Sequence, residues 1–132
     1  MIKSRCSLDP RDSEYRKSLA RLTIRLFDLW NLNTEDQAIL LGLATNKPSI
    51  LSKYRNGKPL DDNLDLLDRA GHLLGIHKSL RMIFPNNKEL AYRWVTQPNK
   101  HFNNKSPLDI MKERRFEGLL AVRRYLDFEC QR

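Results

Sequence analysis

The sequence predicts an all-α fold, and three observations carry that expectation. Apolar residues recur at helical spacing along most of the 132 residues. No strand-like alternation runs longer than a few residues. Hydrophobic residues make up 40% and charged residues 30%, enough for a small core and too little chain for a large α/β enzyme scaffold. About seven helices are expected. They form one lobe over residues 13–84 and a smaller one over 85–132, after a loose tail at 1–12.

The first helix is expected from Asp12 to Asn31. Leu19, Leu22, Leu26, Leu29 and Trp30 supply its apolar stripe, and Arg16, Lys17, Arg21 and Arg25 its polar side. Thr34 then reads as a cap, with acids in the first turn and Gln37 completing a capping box. That short helix runs into Gly42. Pro48 suits the first turn of the next helix, which stops at Gly57. Leu60 to Asn63 opens another helix, with an acidic first turn favourable to the helix dipole. Its stripe is Leu64, Leu67, Gly71 and Leu74. The pattern restarts after Gly75 and breaks at Pro85. Leu90, Ala91, Trp94 and Val95 make a further helix, ended by Pro98 and a loop over 98–105. Ser106, Pro107 and Asp109 are a strong helix start. A last helix spans Phe116 to about Phe128. Gly118 inside it predicts close packing against another helix, within the chain or across a dimer.

The net charge is +8, which points first to a polyanion such as nucleic acid. Only +4 of it (Lys47, Lys53, Arg55 and Lys58) sits on the turn and second short helix, residues 45–58, a stretch free of acids. Cys6 and Cys130 lie near opposite ends with no CxxC, so a reducing cytoplasm is the plain expectation. Nothing in the first residues reads as a secretory signal. No apolar run is long enough to span a membrane.

The short helix, Gly42, a turn and a second short helix ending at Gly57 have the shape of a helix-turn-helix. In the second helix Leu51 and Tyr54 would face inward. Ser49, Ser52, Lys53 and Asn56 fall on one outward stripe. Such side chains suit a helix in the major groove, where Asn reads adenine and Ser or Lys contacts bases or phosphates. Lys47, Arg55 and Lys58 flank it, so the candidate DNA-binding set is Lys47, Ser49, Ser52, Lys53, Arg55, Asn56 and Lys58. A solvated face on a structural helix pair is the competing reading. The turn is also longer than a tight repressor turn.

The C-terminal part carries more specific motifs. They are Leu74-Gly75-Ile76-His77-Lys78-Ser79-Leu80, Ile83-Phe84-Pro85, Ala91-Tyr92-Arg93-Trp94, Pro98-Asn99, Phe102, Ser106-Pro107-Leu108-Asp109 with Met111, and Glu117-Gly118-Leu119 with Ala121 to Asp127. On these the chain resembles the Xre/MbcA/ParS antitoxins of bacterial toxin–antitoxin pairs. The resemblance implies an Xre-like helix-turn-helix lobe followed by a small helical toxin-binding lobe. It implies a RES-domain, NAD-consuming toxin as partner, repression of the pair's own promoter through operator DNA, and a homodimer. The candidate toxin-binding residues are then Trp94, Asn99, Phe102, Arg123 and Arg124. Trp94 and Phe102 are most simply core residues, either of which can also rim a partner surface, and Asn99 fixes its loop more readily than it touches toxin. Arg123 and Arg124 fit an interface or a solvated face. Asn103-Asn104 stands where many relatives have glycines, and Asn tolerates the left-handed region. Arg114-Arg115 likewise stands where relatives often have Gly.

No nucleophile–base pair, phosphate loop or paired carboxylate stands out, so the chain is not read as an enzyme. His72, His77 and His101 lack ligand spacing with either cysteine. No metal or cofactor is expected. The alternative function is a stand-alone helix-turn-helix regulator.

Overall fold

The computed structural model describes residues 11–132, and all its regular elements are helical. Helix α1 spans Ser13–Leu29, α2 Thr34–Leu41, α3 Ser49–Arg55, α4 Leu64–Ile83, α5 Lys88–Arg93 and α6 Pro107–Cys130. Short 3₁₀ turns at Trp94–Thr96 and Lys100–Phe102 join α5 to α6. The tail expected at 1–12 falls mostly outside the described residues. Its last residue belongs with α1, because the Asp12 side chain accepts from the Glu14 N–H and caps that helix.

One apolar core runs from Leu19 to Leu126. Helix α4 lies at its centre and packs most extensively on α6, then on α1. That position corrects two expectations. The helix is continuous through Gly75, since it is held on both sides. Its buried residues are Leu66, Leu67, Ala70, Leu73, Ile76, Ser79 and Leu80, and Leu64 is exposed. A helix covered on two sides buries a face wider than a single stripe. The stripe of α1 is also rotated from the expected one. Thr23, Ile24 and Phe27 are buried, whereas Leu22 and Leu29 are 45% and 37% exposed.

Helix α2 is capped by Asn33, whose side chain accepts from the Asp36 N–H at 2.8 Å, and not by Thr34. Gln37 makes no capping box. It is buried and donates to the Leu32 carbonyl at 2.9 Å. Helix α2 ends on Gly42 at φ 73°, the left-handed cap that glycine adopts without strain. Ser106 caps α6 as expected, its hydroxyl accepting from the Asp109 N–H at 3.0 Å. Asn103 and Asn104 both take left-handed conformations, φ 58° and 67°.

The two helices expected over 106–128 are both present, and they meet at a sharp break within Pro107–Cys130. Arg115 sits at φ 58°, ψ −130°, a region almost reserved for glycine. The arms before and after it fold against each other. Gly118 is where they touch: a Cβ there would strike the Ile110 carbonyl oxygen and lie 2.9 Å from the Met111 Cα. The close packing read from Gly118 is therefore within the chain. Arg115→Gly should relieve the break and raise stability by about 1 kcal/mol, after the extra entropy of glycine in the unfolded chain is subtracted. A thermal melt checks this, and an unchanged or lower Tm would contradict it.

Candidate nucleic-acid and partner surfaces

Helix α3 is anchored from below. Leu51 and Tyr54 are buried in the core. That leaves Ser49, Ser52, Lys53 and Asn56 exposed together on the outer side, as the spacing predicts. Pro48 precedes the helix at φ −65°, and residues 42–48 form the long turn from α2. Lys47, Arg55 and Lys58 are exposed as well. They are not electrostatically equivalent. Arg55 grips Asp28 of α1 with two hydrogen bonds of 2.9 Å. This pairing holds the Asp28 carboxyl below its usual range and raises Arg55, the hydrogen bond being the main cause in each case. Lys58 pairs with Asp61 at 3.3 Å and lies 5.8 Å from the centre of the Tyr54 ring. Among the described residues Lys47 and Lys53 have no ion-pair partner. The set expected from sequence thus divides into two free cations and two occupied ones.

The C-terminal candidates divide too. Trp94 is half-buried and stacks on Tyr125, ring centres 6.2 Å apart and planes 8° apart. On Tyr125 also lies His101, at 4.2 Å and 27°. Phe102 is buried and meets Tyr125 edge-on at 5.6 Å. Burial pushes the Tyr125 hydroxyl up, with Glu129 adding to it. Tyr125 and His101 are absent from the set expected from sequence. The local signal for His101 is its adjacency to Phe102, while Tyr125 reaches the cluster only through the fold.

Asn99 is committed to its own loop. Its side chain accepts from the His101 N–H at 2.8 Å, and its backbone pairs with Lys105. Arg123 and Arg124 differ in their surroundings. Arg124 is exposed, whereas Arg123 lies half-buried over Gly75 and donates to His72 Nδ1 at 2.9 Å. An always-charged guanidinium requires that Nδ1 accept, so the ring is neutral there. Burial, then the nearby Arg123 charge, lowers the His72 pKa accordingly.

Among the described residues no group of three or more His, Cys, Asp or Glu is placed to hold a metal ion. No helix among them is long and apolar enough to cross a membrane. Cys130 is a free thiol whose Sγ lies 3.7 Å from the Ser79 carbonyl; Cys6 is outside the described residues.

Residues 79–128 match the family model described as the antitoxin Xre/MbcA/ParS C-terminal toxin-binding domain. The matched segment starts inside α4 and ends inside α6, so it contains the whole aromatic cluster. A protein of Sinorhizobium fredii, uncharacterized protein y4oB, is 35% identical over 103 residues, covering 78% of this chain and 77% of that relative.

Proposed function

Because the chain belongs to the Xre/MbcA/ParS antitoxin family, we propose that it neutralises a RES-domain, NAD-consuming toxin and represses its own operon by binding operator DNA. The coarser part needs no proposal: the matched domain is a toxin-binding antitoxin domain, not an enzyme class. The single observation behind the antitoxin role is that match over 79–128, which contains Trp94, Asn99, Phe102, Arg123 and Arg124. We assign toxin contact to the exposed rim of that segment, with Arg124 and the partly exposed Trp94 foremost. Phe102 and Asn99 support the rim from beneath. The partner acts in the cytoplasm, and the antitoxin works as a homodimer. We place the functional division at residue 84, although the two parts share one core through α4.

Operator binding is supported by the exposed stripe Ser49, Ser52, Lys53 and Asn56 on an anchored short helix. Bases would be read by Asn56 and the serines, and phosphates contacted by Lys47 and Lys53. Arg55 and Lys58 contribute less, since each already has a carboxylate partner.

Co-expression with the adjacent reading frame is the test of the antitoxin role. A stable complex and relief of growth arrest are expected. Growth arrest unaffected by this protein would sink the idea. Lys53→Glu separates the two activities: promoter binding should fall about a hundredfold or more, while neutralisation is retained. Loss of both would show that the two surfaces are not independent. The second reading, a stand-alone regulator, draws on the same exposed stripe. It gains if no RES-like gene lies beside this one.

A further inference from the structure

The recognition helix is tied to α1 at a place that the sequence does not reveal, and the tie defines a second surface. Arg55, at the end of α3, is fixed on Asp28 near the end of α1. Five residues later the chain is fixed again, near the start of α1. There the Leu60 N–H donates to the Arg16 carbonyl at 3.2 Å, and Arg16 Nη1 donates to the Leu60 carbonyl at 2.6 Å. Residues 56–59 therefore lead back from the flank of α1 that carries Asp28 toward Arg16, which lies about 120° round the helix at 100° per residue. At 100° per residue, Lys17 and Arg21 fall within about 40° of Asp28 on that same flank. Both are exposed and neither has an ion pair among the described residues. The acid between them and α3, Asp28, is already neutralised by Arg55. On α1 itself only Glu14, near the helix start, remains as an opposing acid.

We infer that the duplex bound by α3 continues across this flank of α1, with Lys17 and Arg21 contacting its phosphate backbone. The inference rests on the operator-binding reading above. Two cations with no carboxylate partner, on the flank to which the recognition helix is tied, suit phosphate, which needs charge and no base geometry. The Asp28–Arg55 pair acts as a neutral post between the two surfaces, setting their mutual angle.

The test compares the full-length wild type with Lys17→Gln plus Arg21→Gln on two short duplexes, the region upstream of its own gene and a scrambled sequence. The double variant should weaken binding to both by the same factor, about tenfold or more. It should also reduce the slope of log K against log salt by about 1.8, which is about 0.9 for each phosphate no longer neutralised. An unchanged thermal melt verifies the fold. Affinity within about twofold of wild type with an unchanged slope, while Lys53→Glu abolishes binding, overturns this inference alone. Wild type that binds neither duplex overturns the operator reading and the inference together. Loss of the toxin complex with DNA binding intact would assign the flank to an acidic protein surface and also overturn it.

Discussion

Gly118→Ala is expected to be the most damaging single substitution of a small residue, lowering stability by about 3 kcal/mol or more. The reason lies in what the added carbon would strike. A Cβ at Gly118 would meet the Ile110 carbonyl oxygen and the Met111 Cα, which are backbone atoms. Backbone in a capped helix cannot rotate aside as a side chain can, so the two arms of α6 would have to part. Ile110, Met111 and Leu119 are all buried at that contact, and parting them admits water to the core. Gly75→Ala is the informative comparison. Its Cβ would meet the Arg123 guanidinium, with Cζ at 2.6 Å. That is the far end of a flexible chain, and moving it forfeits mainly the bond to His72, about 1 kcal/mol. A thermal melt of both variants decides the matter. A Gly118→Ala Tm equal to wild type, or below Gly75→Ala by nothing measurable, would refute the account of the kink.

On the operator reading proposed above, Tyr54→Ala is expected to remove DNA binding by freeing α3, with a stability loss of roughly 3–5 kcal/mol if the whole fold feels it. Tyr54 is 1% exposed and, with Leu51, supplies the buried side of α3. A helix of seven residues has no stability of its own in water, so its orientation comes from these anchors and from the Arg55–Asp28 tie. The Lys58 ammonium over the Tyr54 ring would lose its partner as well. Operator affinity should fall at least as far as in Lys53→Glu, although no charge has changed. Amide hydrogen exchange should show α3 deprotected while α6 stays protected. Retained operator binding would mean that α3 does not carry the recognition surface.

The elements with local signals are legible in the sequence. The Ser106-Pro107-Asp109 start, the left-handed asparagines and the inward Leu51 and Tyr54 follow from chemistry within a few residues. So does the outward stripe of α3. The remainder needs tertiary information. Asn33 and Thr34 are both good caps, and the choice between them is made by Leu32 going into the core with Gln37 bonded to its carbonyl. The stripe of α4 departs from the expected one because two helices cover it. Arg55 and Lys58 look like free cations on a helix end. The partner of Arg55, Asp28, is supplied by the fold from 27 residues away, whereas that of Lys58, Asp61, lies only three residues on and was within local reach. Tyr125 joins Trp94, His101 and Phe102 only once α6 has returned beside the 3₁₀ turns. Composition places the larger cationic excess after residue 80, yet several of the cations there are held by partners within the chain. Lys105 pairs with Glu113, Lys112 with Asp36, and Arg123 bonds His72.

The central position of α4 has a consequence for how such molecules can be recombined. One side of the helix meets α6, where Gly75 lies under Arg123 and the Ser79 carbonyl faces Cys130. Another side lines a cleft, through Leu74 and His77, with Leu22, Leu26 and Leu29 of α1 and with Tyr92. A cut at residue 84 would leave the first side bare along its length. A chimaera that joins the N-terminal helices of one relative to the toxin-binding part of another must therefore inherit α4 and α6 from the same parent. The interchangeable piece is α1 to α3, and its graft seam takes in the contact of α1 with α4 and that of α2 with α6, where Lys112 pairs with Asp36.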